Sequence, residues 1–480
     1  MKDNNQIVSN VIWRFFERFG TQLITFIVMT VLARHLTPDE YGTVSLVVIF
    51  IAILQVFVDS GMGNALIQKK NADHLDFSSV FYFNTITSVV LYLLMFVLAS
   101  PIAYFFDEPE LVPIIRVLSL VLVASGIRNV QQAYVSRHLQ FKRFFYATII
   151  GTMVSGAVGI WMAYRGYGVW AMVARQLVST CVDTFVLWII VEWKPKWEFS
   201  IERIKGMFSF GWKILLTGLL DVVYSNVRQL VIGKLYTSAD LAFHTKGKQI
   251  PELVGTNINM AIDGVLLPTM SAVQDEREQV TRILRKASRI TGYIMAPLLI
   301  GLLIIATPLV RLWLTDKWLG VVPYLQAFCV FYLFYPHQLA NRNALKSIGR
   351  SDIVLKMEIF NKIIGFGGLL ISMWFGVWAI TISLLITTAI SQILISTVNW
   401  KMFGYSFKDQ ARDVLPSIGL ALMMGVAIYF IAWLPLHDAL ILLIQILLGA
   451  CIYVALSWIF RMSSFLYILS ILKSSVKKKG

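Results

Sequence analysis

Charge is scarce in this chain. Only 14% of its 480 residues are Asp, Glu, Lys or Arg, while 57% are hydrophobic, against roughly 25% charged in ordinary soluble domains. No water-exposed fold hides that much apolar surface, so a soluble globular protein is excluded and the bilayer becomes the main solvent. Cysteine is scarcer still. Cys181, Cys329 and Cys451 are odd in number, each lies inside an apolar run, and none has metal-ligand spacing. This excludes a disulfide framework and a zinc site and predicts three small buried hydrophobes. The six histidines are scattered. With no HExxH, no GxSxG and no glycine-rich phosphate loop in a strand-turn-helix setting, no cofactor or metal is expected. Acid is the rarer sign, giving a net charge of +15. Basic residues in short loops between spans are a topology signal, so nucleic acid is not expected as a partner.

What is present is a recurrence of apolar runs long enough to cross ~30 Å of hydrocarbon. Fourteen transmembrane helices are predicted, at about 12–33, 43–66, 78–100, 112–127, 144–164, 168–191, 211–232, 247–270, 291–312, 322–340, 357–376, 378–399, 414–434 and 439–460. The fold class is therefore an all-α polytopic membrane protein. The polar start runs straight into a long span without a small-residue cleavage site, so the first helix is expected to serve as the insertion signal. An even number of crossings puts both termini on one side. With that side cytoplasmic, about 28 of the 42 basic residues fall in cytoplasmic segments and about six in the opposite loops, a strong positive-inside bias. No loop exceeds roughly 20 residues, so no attached soluble domain is expected. Phe199 to Phe208 and Asp275 to Arg289 have charges spaced for amphipathic helices at the membrane surface. Trp193, Trp197, Trp313 and Trp318 fall at span ends and read as aromatic belts.

Internal similarity divides the chain. Ala33 to Glu40 matches Gly233 to Asp240 in its small residue, its cation, its Thr and its closing acid. Asp107 to Pro113 recurs loosely as Asp316 to Pro323, and Ala133 to Ser136 as Ala344 to Ser347. Copies separated by six spans share an orientation, which predicts two parallel six-helix lobes. The expected organisation is an N-lobe at 1–192, an amphipathic linker at 193–210, a C-lobe at 211–400, and a helix pair with a basic tail at 401–480.

Ionisable residues inside spans are costly and usually face a cavity or a partner. At about 100° per residue, Lys213, Asp221 and Arg228 share one face of the seventh span, and Lys248, Glu252, Asn259 and Asp263 share one face of the eighth. Arg14 and Arg18 do so in the first, and Arg175 pairs by position with Asp183 in the sixth. A hydrated cleft between the lobes would satisfy them all. Mid-membrane cations outnumber acids, which favours an anionic solute, and Arg forks match phosphate well. Arg14, Arg18, Arg116, Arg175, Lys213, Arg228 and Lys248 are accordingly the candidate substrate-binding set. Asp221, Glu252 and Asp263 are candidates to couple a proton or sodium ion. Snorkelling to the interface is the structural alternative for Arg14, Arg18, Arg116 and Lys248. Asp59, beside Ser60 and Gly61, reads as a cap or packing feature rather than a ligand. Asp39, Glu40, Asp107 and Glu108 resemble the exposed acids of a membrane glycosyltransferase or polymerase. Without a large adjoining loop to hold an acceptor, they read better as helix-start chemistry.

Leu32 to Gly42, followed by Asp59-Ser60-Gly61-Met62 and Ile67-Gln68-Lys69-Lys70, resembles the opening signature of bacterial polysaccharide exporters of the O-antigen flippase type. Phe210-Gly211-Trp212, Leu267-Pro268 with Ser271 and Gln274-Asp275, Asp316-Lys317-Trp318 with Pro323, and Gly349-Arg350 with Asp352 are similar too, particularly to the colanic-acid-exporter branch. The resemblance implies a member of the superfamily that also holds multidrug antiporters and the lipid II flippase, with two six-helix lobes in a V and alternating access. The substrate it implies is an undecaprenyl-diphosphate-linked oligosaccharide moved across the bacterial inner membrane, with polymerases as candidate partners. Transport of lipid II or of a drug by the same fold is the nearest alternative.

Overall fold

The computed structural model describes residues 2–477, without the side chains of 2–12, 14, 15, 210, 259–261 and 471–477. Among the described residues there is no strand. The first helices are α1 (Lys2–His35), α2 (Pro38–Asp59), α3 (Met62–Gln68), α4 (His74–Phe106), α5 (Leu111–Leu118) and α6 (Leu120–Arg137). They continue as α7 (Phe141–Tyr164), α8 (Val169–Ile190), α9 (Ile201–Leu235), α10 (Ser238–Ser271), α11 (Arg277–Ile304) and α12 (Ala306–Leu314). The last are α13 (Val321–Ser347), α14 (Ser351–Ser372), α15 (Val377–Phe403), α16 (Phe407–Tyr429), α17 (Asp438–Ile459) and α18 (Ser463–Lys477). Among the described residues, 11 helical segments are long and apolar enough to cross a membrane. Helices stand at all fourteen predicted spans. Those on α10, α13 and α14 fall short on hydropathy because they carry groups such as Lys248, Gln338, Arg342, Glu358 and Lys362.

Local chemistry sets the helix ends. Thr37 accepts the Glu40 backbone N–H at 3.2 Å while Glu40 accepts that of Thr37 at 2.7 Å, and Pro38 occupies the first turn of α2. Asp73 with Asp76 and Ser406 with Asp409 repeat this capping box at α4 and α16, each such cap contributing about 1 kcal/mol. Glu40 is thus helix-start chemistry, as the sequence predicts, but Asp107 and Glu108 are not. Asp107 is the left-handed residue that ends α4, at φ 59°, and it binds Lys234 at 2.8 Å. Glu108 accepts hydrogen bonds from Thr43 and Ser238.

The second predicted span is two helices. α2 stops at Ser60 (φ 45°) and Gly61 (φ 67°), where a Cβ on Gly61 would stand 2.4 Å from the Gly211 carbonyl oxygen. The fourth is likewise broken, at Ser119, between α5 and α6. The two amphipathic segments are not separate surface helices: most of each is the first turns of α9 and α11, continuous with the span that follows. Residues 191–200 ahead of α9 have no regular secondary structure.

Packing divides the chain into one unit up to Ala242 and a second from Phe243. In the first, Met62, Leu66, Phe77, Phe81, Val130 and Trp193 form a closed apolar core. Asp76 is fully buried beneath Lys69 at 2.6 Å and Arg203 at 3.4 Å. Its neighbours Ser78 and Ser79 accept the backbone N–H groups of Lys196 and Ser200. The Asp73 carboxyl is held below its ordinary value, first by the Asp76 N–H and then by Arg203. In the second unit, Gln410 accepts hydrogen bonds from Asn341, Gln392 and Ser396. Tyr293 donates to Ser457, and Tyr453 donates to the Tyr293 carbonyl, tying α17 to α11.

Two expectations about apolar residues need correction. Trp193, Trp313 and Trp318 are buried core side chains rather than belt residues, and only Trp197 of the four is exposed, at 96%. Cys329 is buried as predicted, but Cys181 and Cys451 lie on exposed faces. The helices also carry bare apolar side chains, including Ile86 and Val97 of α4, Ile371 of α14 and Trp458 of α17, as helices solvated by lipid do.

Candidate functional site

In the first unit the polar centre joins α6 to α8. Arg128 donates to Asp183 at 3.1 Å, and Glu17 of α1 lies close enough for its charge to act on Asp183. A small residue makes room for the pair: a Cβ on Gly151 of α7 would fall 1.8 Å from an Asp183 carboxylate oxygen. The partner predicted for Asp183 was Arg175. The structure instead supplies Arg128, which α6 carries past the predicted end of the fourth span. Arg175 packs its aliphatic stem on Gly159 of α7.

Beside this centre lies a cavity of about 390 Å³, lined by Asp59, Asn64, Asn129, Gln132 and Ser136 together with Ile214, Leu215 and Gly218 of α9. Asp59 Oδ1 accepts from Gln55 and from Asn129, both at 3.0 Å, so Asp59 fastens α2 to α6 as a packing residue. Its carboxylate is nevertheless exposed, which leaves a polar-walled recess against the apolar face of α9.

The candidate cations are distributed over both units. The side chain of Arg14 lies outside the described residues, as does that of Asn259. Arg18 is exposed on α1. Arg116 lies over the Phe96 ring at 4.4 Å, a cation–π contact rather than an open position. On α9, Lys213 and Asp221 are exposed, whereas Arg228 is only 7% exposed and lies over the Tyr224 ring at 5.6 Å. In the second unit Lys248 pairs with Glu252 one turn on, at 3.1 Å. Asp263 accepts the Asn343 side-chain N–H at 2.7 Å. Sequence reasoning missed Arg128, Glu17 and the Arg285–Asp413–Arg289 cluster, in which Asp413 receives Arg285 at 2.9 Å and Arg289 at 2.5 Å. No group of three or more His, Cys, Asp or Glu able to hold a metal ion occurs among the described residues.

These helices, with cations on their polar faces and bare apolar outer faces, have known counterparts. Residues 31–323 match the family described as polysaccharide biosynthesis protein. The chain belongs to that family. The chain is similar to the succinoglycan biosynthesis transport protein ExoT of Rhizobium meliloti (strain 1021), at 23% identity over 66% of this chain and 65% of that one. The match thus spans just under two thirds of that relative. It is also 23% identical to the lipopolysaccharide biosynthesis protein WzxC of Escherichia coli (strain K12), over 83% of this chain and 84% of that one. Among solved structures, the fold is similar to the lipid II flippase MurJ in an inward closed conformation. The TM-score is 0.73 at 17% identity, with 94% of this chain and 98% of that one covered. The chain is therefore a multi-pass membrane protein with a fold like that flippase's, and the resemblance read from its residues is confirmed.

Proposed function

We propose that this protein is a flippase that carries an undecaprenyl-diphosphate-linked oligosaccharide across the bacterial inner membrane, to the periplasmic leaflet, by alternating access. It would do so with fourteen spans and both termini in the cytoplasm. Membership of the polysaccharide biosynthesis family carries this reading. The charge inventory supports it. Asp183 holds Arg128, Glu252 holds Lys248, and Asp263 accepts from Asn343. Arg18, Arg175, Lys213 and Arg228 add further positive charge to α1, α8 and α9. A guanidinium or ammonium in low dielectric suits a diphosphate, while the polyprenyl chain stays in lipid. Asp221, exposed on α9 near the middle of its span, where a carboxylate is costly, is the favoured carrier of a coupling proton or sodium ion, ahead of Glu252 and Asp263.

The test is reconstitution in vesicles with a lipid-linked glycan in one leaflet. Chemically unchanged glycan should reach the opposite leaflet only when the protein is present. Arg228→Gln and Asp221→Asn should each slow this by about tenfold or more, the worth of one charged contact, without loss of membrane insertion. New glycosidic linkages without movement would overturn the proposal. Wild-type rates in both variants would remove α9 from the mechanism.

A further inference from the structure

A second cationic site stands apart from the residues of the transport proposal, wholly inside the carboxy-terminal unit. A cavity of about 440 Å³ lies between the first half of α11 and the start of α18. Arg282, Arg285, Lys286 and Arg289 line it from α11, and Ser463, Ser464 and Tyr467 from α18. The spacing of three, four and seven residues puts the four cations on one helix face, where like charges repel. A single buried acid opposes them: Asp413 of α16, its side chain only 1% exposed, binds Nε and Nη2 of both Arg285 and Arg289 and accepts the Tyr405 hydroxyl at 3.0 Å. That arrangement locks both guanidinium planes and leaves their Nη1 groups outside the carboxylate's reach. Lys286 is steered over the Tyr467 ring, 3.7 Å from its centroid. The nearby Asp409 is committed to its own capping box with Ser406. Four cations, three of them held in place, face buried Asp413 and the capping Asp409, whose charge also acts on Arg285, which leaves a surplus of positive charge. The first turn of the 15-residue α18 adds two hydroxyls and the positive end of its helix dipole.

The position of the cavity narrows the ligand. α11 changes from charged to apolar just after Arg289, at Ile290, which also lines the cavity. α18 exposes Leu466 and Tyr467 beside it. This is where hydrocarbon gives way to water, the level of lipid phosphates, and α18 has the amphipathic character of a helix lying at that level. We propose that this cavity is a phosphate-binding site that takes the headgroup phosphate of an anionic phospholipid and thereby fastens α18 to α11. The site is independent of the cargo, so failure of the flippase reading leaves it standing.

The experiment uses the full chain purified in detergent, with thermal unfolding and hydrogen exchange over 463–470 as readouts. Phosphatidylglycerol should raise the unfolding midpoint and slow exchange in α18, and phosphatidylcholine should do neither. Arg282 and Lys286 do not bind Asp413, so R282Q/K286Q spares the Asp413 cluster. It should weaken the lipid effect roughly 30-fold, a factor of about five for each basic residue, while R282K/K286R should retain it. If inorganic phosphate gives the same variant-sensitive shift and the lipid gives none, the phosphate chemistry stands with a soluble source in place of the lipid. If neither ligand has an effect, or if R282Q/K286Q responds like the wild type, the site is refuted.

Discussion

Breaking the ion pair between Arg128 and Asp183 should destabilise the first unit in a way that two substitutions together largely repair. At 3.1 Å and an effective dielectric constant of about 20, the two charges attract by about 5 kcal/mol. Removing each ion from water costs several kcal/mol, so the pair as a whole is close to neutral. Either charge alone has no such compensation, and a single substitution should cost about 3 kcal/mol. The two single variants should also be unequal. Glu17 lies within reach of Asp183, so Arg128→Gln leaves two carboxylates facing each other. Asp183→Asn introduces no such repulsion. The expected order of stability is wild type, then the double variant, then D183N, then R128Q, with a coupling of about 2–3 kcal/mol in the cycle. Tryptophan-fluorescence unfolding of the detergent-purified protein measures it. Additive effects of the two substitutions, or a D183N variant less stable than R128Q, would refute the assignment of this pair as a mutually dependent unit.

Two further outcomes follow from particular contacts. A Cβ on Gly42 would fall 1.8 Å from the Ser238 carbonyl oxygen, a backbone atom that cannot step aside, so Gly42→Ala should cost about 2 kcal/mol or more. The check is the yield of monodisperse protein on size-exclusion chromatography, and a wild-type yield would contradict the close approach. At the start of α14, Arg350 holds the Asp352 carboxyl down to about 2 from 3.8. A depressed folded-state value means that the contribution is present above the unfolded value and lost as pH falls through the folded one. The small difference in unfolding midpoint between wild type and D352N should therefore be constant from pH 7 to about 4.5, shrink to a small remainder by about pH 2 and vanish below it. A difference undiminished at pH 2 would show that the charge is not its source.

Hydropathy made the helices legible because a bilayer tolerates no other backbone arrangement in this sequence, and a helix stands wherever a span was expected. Breaks within spans were less visible. The kink at Ser60 and Gly61 depends on the backbone of Gly211, some 150 residues away, and no local pattern encodes that approach. Charge stripes were legible as angles but not as partners. The cost of Asp183 is visible in the sequence but its counter-ion Arg128 is not, because a hydropathy window ends at the first charge while the helix runs on to Arg137. Arg137 itself counted as a topology signal. In the structure it also donates to the carbonyls of Leu66, Lys69 and Lys70 at the end of α3. The Arg285–Asp413–Arg289 cluster escaped notice for the same reason as Arg128: each residue sits at a span edge, where charge is expected and carries no warning.

The buried Asp76 has a consequence for how the protein is made. Its first cation, Lys69, is seven residues before it and is available as soon as the hairpin ahead of α4 forms. The second, Arg203, is synthesised 127 residues later, roughly ten seconds on at ordinary translation rates. Ser78 and Ser79 wait as long for the backbone of Lys196 and Ser200. Until the start of α9 leaves the ribosome, the base of α4 holds a half-compensated carboxylate, and the Ser79 hydroxyl lacks the backbone N–H that it accepts in the finished fold. Truncated chains ending before about residue 200 should therefore be the ones that membrane quality control removes, while chains extending through α9 escape it.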